Sequence, residues 1–260
     1  MTKEILSAQG LTLGYQQKAI VKSLDITFIE NKMTVIIGPN GCGKSTLLKG
    51  LGRILAHDAG EIFLNQRNLA DFSTKEIAQQ LAFLPQGSDS PEDVTVRDVV
   101  SIGRYPYQGI LQKRSKQDEQ IIEEVLKETG LLPLADENVQ HLSGGQKQRV
   151  WIAMALAQKT PIILLDEPTT YLDLGHQLDI LNLLQRLNQE KNLTVIMVLH
   201  DLNLAARFSD CMIGMKNGAI QYQGTPQEVM SEAVLKDLFN IKAYLGKDPV
   251  DGSPICLRFE

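Results

Sequence analysis

The stretch "MTVIIGPNGCGKSTLL" (residues 33–48) decides how the rest of this sequence is interpreted. Its first part has a continuously apolar core, which is typical of a strand buried on both faces of a sheet. Gly38, Gly43, Lys44 and Ser45 then match the pattern G-x-x-x-x-G-K-[ST]. Residues 45–55 have helical character. The pattern therefore predicts a strand, a glycine-rich loop and a helix in direct succession.

This loop predicts a binding site for a nucleoside triphosphate. Its glycines let backbone N–H groups turn inward around an anion, and the helix N-terminus adds the positive end of its dipole. We expect Lys44 to reach the β- and γ-phosphates and Ser45 to offer an oxygen to Mg²⁺. The alternative is a chance glycine-rich turn, which the preceding strand and following helix argue against. The candidate phosphate-binding residues are Gly38, Pro39, Asn40, Gly41, Cys42, Gly43, Lys44, Ser45 and Thr46.

Cys42 lies inside this loop. A thiol near a helix N-terminus and beside a lysine is expected to have a lowered pKa and a reactive thiolate. The alternative is that the loop needs only a small residue there and the thiol is inert. Cys42, Cys211 and Cys256 show no metal-ligand spacing, and so sparse a set predicts reduced thiols in a cytosolic compartment.

Two further segments have the character of buried strands, namely "PIILLDE" (161–167) and "TVIMVLHD" (194–201). Amphipathic helical patterns lie between the strands, which predicts an α/β fold with a largely parallel sheet. Residues 1–30 alternate loosely between apolar and polar, as half-buried antiparallel strands do. The polar, helix-rich stretch from about 88 to 157 lacks a buried strand. We interpret it as a helical subdomain inserted into a single domain spanning residues 1–260.

Composition limits the possible functions. The chain has 260 residues, of which 43% are hydrophobic and 22% charged, and its net charge is -5. The chain lacks the overall positive charge that is typical of nucleic-acid-binding proteins, which leaves a local basic patch as the alternative. The N-terminus has no apolar core segment of a signal peptide. No apolar run approaches the roughly 20 residues that span a bilayer, so any membrane role is predicted to be peripheral.

Two carboxylates end the strand of residues 161–167. Asp166 is expected at the carboxyl end of a buried strand, where ligands collect in open α/β sheets. It is a candidate Mg²⁺ ligand, usually through water, and Glu167 is a candidate for polarising an attacking water. An apolar strand ending in Asp-Glu is alone often structural. The upstream phosphate loop favours the functional interpretation.

The segment "LSGGQKQR" (142–149) resembles the signature of ATP-binding-cassette (ABC) ATPases. Ser143 is a good helix N-cap, and Gly144 and Gly145 leave backbone N–H groups accessible at the start of the next helix, predicted from about Gln146 to Ala157. A plain serine-capped helix is the alternative. In this family two chains pair head to tail, so the resemblance implies that Ser143, Gly144, Gly145 and Gln146 meet the ATP bound by a second copy. It also implies a P-loop NTPase (RecA-like) core with an N-terminal antiparallel β subdomain.

Once the family is considered, the resemblance covers nearly the whole chain in the right order. Tyr15 resembles the aromatic residue that stacks on adenine, and Gln86 the glutamine that senses Mg²⁺ and water and links to the membrane partner. Asp173 resembles the residue that crosses to the opposite subunit. His200 resembles the switch histidine that contacts the γ-phosphate. For Tyr15 and His200 the alternatives are a half-exposed strand tyrosine and a structural histidine.

The kind of cassette follows from what the chain contains. A kinase or GTPase lacks the signature, soluble translation factors of this family usually have two cassettes, and repair proteins have long coiled-coil inserts. One cassette with a short helical insert resembles the ATPase of a bacterial importer on the cytoplasmic face of the membrane. That resemblance implies ATP and Mg²⁺, a second copy, separate permease subunits and, indirectly, a substrate-binding protein.

Three local sequence segments narrow the group of importer ATPases further. The segments "RVWIAMALAQ", "LLDEPTTYLDLGHQ" and "HDLNLAARFSD" resemble ATPases of iron–siderophore importers, whose relatives import cobalamin and haem; both remain alternatives, as does a soluble non-transport ATPase. Trp151 fits the same group, although its direct role is expected to be core packing. Tyr105, Tyr107, Ile110 and Leu111 form either a groove for a permease helix or a local core.

Overall fold

The computed structural model describes residues 3–16, 18–87, 93–109 and 114–260. The strands within them are β1 (Glu4–Tyr15), β2 (Lys18–Ile29), β3 (Met33–Ile37), β4 (Ala59–Leu64), β5 (Arg67–Asn68), β6 (Leu81–Leu84), β7 (Ile162–Asp166), β8 (Thr194–Val198), β9 (Cys211–Lys216), β10 (Ala219–Gly224), β11 (Ala243–Lys247) and β12 (Pro254–Phe259). The helices are α1 (Lys44–Leu51), α2 (Thr74–Ala78), α3 (Val96–Ile102), α4 (Lys116–Glu128), α5 (Gly144–Ala157), α6 (Leu174–Lys191), α7 (Leu202–Arg207), α8 (Pro226–Val229) and α9 (Glu232–Phe239).

The central sheet contains the strand that precedes the glycine-rich loop. Its order is β10-β9-β3-β8-β7-β6, and neighbours are parallel except for β10 and β9. Every residue of β3, β7 and β8 is buried, as expected for strands covered on both faces. Ile36 packs into one core, while Val35 and Ile37 pack into the other. Because β6, β7 and β8 are parallel, the residues that follow them meet at one edge of the sheet.

A second sheet confirms the predicted N-terminal antiparallel strands. Its order is β2-β1-β4-β5, and each neighbouring pair is antiparallel. Leu11 and Leu13 of β1 and Leu47 and Leu48 of α1 are fully buried in the core that this sheet shares with the central sheet. The core thereby places the tip of β1 beside the glycine-rich loop.

The chain between β6 and β7 is helical where the structure describes it. Residues 93–109 and 114–157 contain α3, α4 and α5, and no strand is found among them. The predicted start of the helical subdomain, near residue 88, lies outside the described residues. Trp151 is buried with apolar residues of α3 and α4 in the core that also contains Val35 and Ile37. This is the packing role expected for it. Ile121, Ile122, Val125 and Leu126 of α4 pack against the same core, as their spacing predicts.

Two helix boundaries differ from the sequence prediction. The helix after the loop was expected to reach Leu55, but α1 ends at Leu51. Gly52 is its C-cap and Arg53 has a left-handed φ of 56°, so the chain turns back and both Ile54 and Leu55 bond to the carbonyl of Lys49. The helix α5 begins at Gly144, earlier than the expected Gln146, because Ser143 and Gln146 form a capping box.

A C-terminal hairpin of β11 and β12, which no sequence pattern indicated, packs on α7. Asn203 of α7 donates from its side-chain amide to the Cys256 carbonyl at 3.2 Å, and its amide oxygen accepts from the Cys256 N–H at 2.7 Å. The amide thereby pairs with β12 as a neighbouring strand would. This contact connects the C-terminal hairpin to the helix that follows His200 and Asp201.

An ion-pair seam joins α4 to the end of α6. Glu124 lies 3.0 Å from Lys159 and 3.0 Å from Lys191, and Lys191 also contacts Glu128. Arg186 donates to the backbone carbonyl of Glu128 at 2.9 Å. Hydrogen bonds from both lysines lower the pKa of Glu124 to about 2.

In the part of the chain that the structure describes, no helix is both long enough and apolar enough to cross a membrane.

Candidate active site

The glycine-rich loop has the backbone that an anion site requires. Gly43 has a left-handed φ of 108°, and a Cβ on Gly38 would lie 2.2 Å from the Met215 carbonyl oxygen. Both positions therefore exclude side chains. Helix α1 starts directly after the loop without a side-chain cap, so its first N–H groups are available to a ligand.

Lys44 folds back over this loop. Its ammonium donates to the carbonyls of Gly38 at 2.8 Å and Pro39 at 3.0 Å, and the residue is only 5% exposed. A buried ammonium needs such partners, because an unpaired buried charge is strongly unfavourable. The contacts keep the positive charge at the mouth of the loop.

A cleft of about 280 Å³ opens over the loop. Tyr15, at the end of β1, forms one side of the cleft and is 46% exposed, which suits an aromatic face that stacks on a base. The other lining residues are Ile20, Asn40, Gly41, Gly43, Lys44, Ser45, Thr46 and Glu167. A larger cavity of about 560 Å³ lies at the opposite ends of β7 and β8, beside Pro161 and Leu193, and contains no part of the loop. Volume therefore does not identify the site; the loop does.

Ser45 and Asp166, predicted to share a metal ion, lie together. Ser45 Oγ donates to Asp166 Oδ1 at 2.8 Å. Burial raises the pKa of Asp166 above its ordinary value, against the opposing hydrogen bond from Ser45. Among the described residues no group of three His, Cys, Asp or Glu could hold a metal ion. A hydroxyl and one carboxylate suit Mg²⁺, which takes its remaining oxygens from phosphates and water.

Glu167 receives hydrogen bonds from side chains on separate segments. Gln86 Nε2 donates at 2.6 Å and Thr170 Oγ1 at 3.0 Å, both to Oε2, and His200 Nε2 lies 2.6 Å from Oε1. Gln86, Glu167 and His200 follow β6, β7 and β8, which are adjacent in the sheet. The parallel topology thus brings the three predicted catalytic residues together. The arrangement can orient a water molecule next to the phosphate loop.

The backbone of Glu167 is itself constrained. Its φ of 53° is left-handed, which costs a residue with a side chain about 1–2 kcal/mol. Such a conformation persists where the surroundings determine it. Thr170, which the sequence analysis did not identify, also donates its backbone N–H to the Glu167 carbonyl at 3.3 Å. Its position three residues after the glutamate in a turn was the signal for this role.

The segment from Ser143 to Gln146 lies apart from the cleft. Ser143 Oγ accepts from Gln146 N at 3.3 Å, and Gln146 Oε1 accepts from Ser143 N at 2.9 Å. Gly144 has no heavy atom near the position of a Cβ, so its surface is open. None of these residues lines the cleft over the phosphate loop. Within one chain, therefore, the structure separates the two predicted phosphate-binding segments.

Asp173 lies near this second segment. Its carboxylate caps α6 by accepting from His176 N at 2.9 Å, and its oxygens lie 2.8 and 2.9 Å from His176 Nδ1. Contacts with His176 lower the pKa of Asp173. Sequence reasoning missed His176.

The lowered pKa expected for Cys42 is wrong. Burial raises the pKa of its thiol, and the nearby Lys44 charge opposes this only in part. The residue is 6% exposed and belongs to the core beneath the loop. The helix terminus and the lysine were visible in the sequence, whereas the apolar packing under the loop was not.

The surface proposed for a permease helix is only partly described. Tyr105 is 76% exposed. Tyr107 instead stacks on Arg104, 3.9 Å from the guanidinium carbon to the ring centroid, and donates its hydroxyl to the Gln158 carbonyl at 2.8 Å. Ile110 and Leu111 lie outside the described residues.

Comparison with known proteins agrees with this geometry. A family model described as ABC transporter matches residues 21–170. The iron(3+)-hydroxamate import ATP-binding protein FhuC of Bacillus subtilis is 49% identical, over 98% of this chain and 95% of that protein. The ferric enterobactin transport ATP-binding protein FepC of Escherichia coli is 42% identical, over 99% and 96%. The cassette MJ0796, solved as a dimer bound to ADP and Pi, superposes with a TM-score of 0.75 at 30% identity, over 85% of this chain and 98% of that one.

Proposed function

This chain belongs to the ABC transporter family of ATP-binding proteins, and from that premise we propose that it is the ATP-hydrolysing subunit of an importer for iron–siderophore complexes. The observation that supports hydrolysis most directly is the Glu167 carboxylate beside the phosphate loop, fixed by Gln86, Thr170 and His200. The relatives FhuC and FepC, named as ATP-binding proteins for iron(3+)-hydroxamate import and for ferric enterobactin transport, support the iron–siderophore class.

Different residues of the site bind the nucleotide, activate the attacking water and hold the metal ion. Lys44 and the N–H groups at the start of α1 bind the phosphates, and Tyr15 supports the base. Glu167 accepts a hydrogen bond from the attacking water, which increases the nucleophilicity of the water oxygen. Gln86 and His200 keep that carboxylate in position. Ser45, Asp166 and Gln86 would hold Mg²⁺, which neutralises phosphate charge when bound.

The second half of the site comes from another copy of the chain. Ser143, Gly144, Gly145, Gln146 and Asp173 lie outside the cleft of their own chain, and the N-terminus of α5 offers N–H groups to an anion. The dimeric form of MJ0796 supports head-to-tail pairing. In this arrangement each phosphate loop faces the α5 N-terminus of its partner. Permease subunits would bind the pair from the cytoplasmic side of the membrane, near Gln86 and Tyr105, and a substrate-binding protein would act with the permease.

Uptake measurements test the transport role. In a strain from which the gene is deleted, the wild-type chain should restore uptake of radioactive ferric hydroxamate or ferric catecholate complexes. The Glu167→Gln variant, expressed to the same level, should not. Cobalamin and haem uptake serve as the comparison. Unchanged iron-complex uptake in the deletion strain, together with lost cobalamin or haem uptake, would contradict the iron–siderophore assignment.

A further inference from the structure

His176 lies where the two segments proposed to face the partner copy meet. Its ring Nδ1 lies 2.8 and 2.9 Å from the two carboxylate oxygens of Asp173. The other side of its ring packs against the first turn of α5. There, a Cβ built on Gly145 would lie 2.3 Å from His176 Cδ2 and 2.6 Å from Cγ. Any side chain at position 145 would therefore displace the imidazole.

The cap of α6 does not require the imidazole ring of His176. The carboxylate of Asp173 caps α6 through the backbone N–H of His176, and alanine at position 176 would keep that bond. The ring is also 39% exposed, so it contributes little to either core. What the ring adds is a direct connection from the carboxylate of Asp173 to the backbone of Gly145.

We propose that His176 is a positioning residue that joins Asp173 to the first turn of α5, so that both segments approach the partner copy's ATP as one unit. This inference rests on the proposed function, since it requires that these segments act on a second copy. The α5 turn belongs to the helical chain between β6 and β7, whereas Asp173 follows β7. Without the ring, each segment would find its place separately, and the paired site would be misaligned more often.

Two substitutions separate the contacts of the ring. His176→Ala removes the whole ring, and with it both the contact with Asp173 and the surface against Gly145, but keeps the backbone N–H that caps α6. His176→Phe keeps an aromatic ring against Gly145 and removes only the donor. His57→Ala, at an exposed histidine outside the site, is the matched control. Thermal melts monitored by circular dichroism verify that each full-length variant is folded.

Steady-state hydrolysis and MgATP-driven dimer formation are then measured. For both His176 variants we expect kcat to fall roughly tenfold, as misplaced positioning groups cause. The KM for ATP and single-chain nucleotide binding should stay near wild type, because the phosphate loop of the same chain binds the nucleotide. Wild-type kcat in both variants, with the wild-type chain active, would overturn the role of His176 alone. A wild-type chain that neither binds nor hydrolyses ATP would overturn the proposed function, and this role with it.

A double-substitution cycle tests the contact itself. Gly145→Ala should lower kcat strongly in the wild-type background, where the new methyl group meets the imidazole. In the His176→Ala background the ring atoms that would meet the methyl group are absent, so the same change should cost a distinctly smaller factor. Equal factors in both backgrounds would show that Gly145 and His176 act independently, and the proposal would be wrong.

Discussion

In the proposed mechanism, Glu167 is the residue on which the hydrolysis step depends most directly. Glu167→Gln keeps the shape of the side chain but removes the charge that orients water, so we expect kcat to fall about 100- to 1000-fold. ATP binding should persist, and the variant should accumulate as an ATP-bound dimer in size-exclusion chromatography. The exposed Glu190→Gln serves as the control. Hydrolysis near the wild-type rate would exclude Glu167 as the residue that activates water.

Cys42 should react slowly with thiol reagents near neutral pH. Because burial raises its pKa, the thiolate is scarce at pH 7 and its fraction increases as the pH approaches that raised value. We expect maleimide to label the less buried Cys256 before Cys42, with Cys42 labelling accelerating at higher pH. Peptide mass mapping after timed labelling measures both rates. Faster labelling of Cys42 than of Cys256 at pH 7 would contradict the burial seen in the structure.

The phosphate loop and the N-terminus of α5 are proposed to bind ATP held by different copies of the chain. Substitutions in them should therefore impair different steps. Lys44→Ala should weaken ATP binding by about ten- to a hundredfold, since a hydrogen bond to a charged group contributes about 1.5–3 kcal/mol. Ser143→Arg should leave binding to the single chain intact and prevent the ATP-dependent dimer. Equilibrium binding of a fluorescent nucleotide and analytical ultracentrifugation separate these effects.

Ser73→Arg is the control for the lost helix cap. It removes an equivalent capping box from α2, away from the segment of Ser143, and should still dimerise with ATP. If Lys44→Ala and Ser143→Arg both lost single-chain binding, the assignment of α5 to the partner's nucleotide would fail.

The elements differ in how far the sequence predicted them. The buried strands β3, β7 and β8 were predictable because a run of apolar residues identifies a strand covered on both faces. The parallel order of β6, β7 and β8 then brings Gln86, Glu167 and His200 together. The C-terminal hairpin was not predicted, because β11 and β12 are half exposed and their apolar pattern is weak. The contact between His176 and Gly145 joins residues distant in sequence, and no local pattern indicates it.

At the scale of the whole molecule, the ion-pair seam between α4 and α6 should make stability depend on pH. The folded-state pKa of Glu124 is about 2, below its ordinary value. Its stabilisation is therefore fully present above the unfolded pKa and is lost as the pH falls toward 2. The ion pairs of Glu124 with Lys159 and Lys191 are partly exposed, so solvent screening limits their contribution to the free energy of unfolding to about 1 kcal/mol or less.

Urea denaturation of Glu124→Gln measures this contribution. At pH 7 the variant should have a slightly lower free energy of unfolding than wild type, and the difference should shrink below about pH 4.5, the usual region for a glutamate. The exposed Glu137→Gln should show no such trend. If the difference in free energy of unfolding stayed constant down to pH 3, the charge of Glu124 would not be its cause.

The position of β3, β7 and β8 between two cores has a consequence for how the molecule opens over time. Their amide hydrogens lie in the middle of the central sheet, where only global unfolding gives solvent access. Deuterium should therefore enter these strands last, and at nearly one common rate. Each of them ends at or shortly before a residue of the proposed nucleotide site: β7 ends at Asp166, and Gly38 and His200 come soon after β3 and β8. The phosphate loop and Glu167 are thus anchored to the slowest-exchanging part of the chain, so local fluctuations elsewhere leave the site assembled.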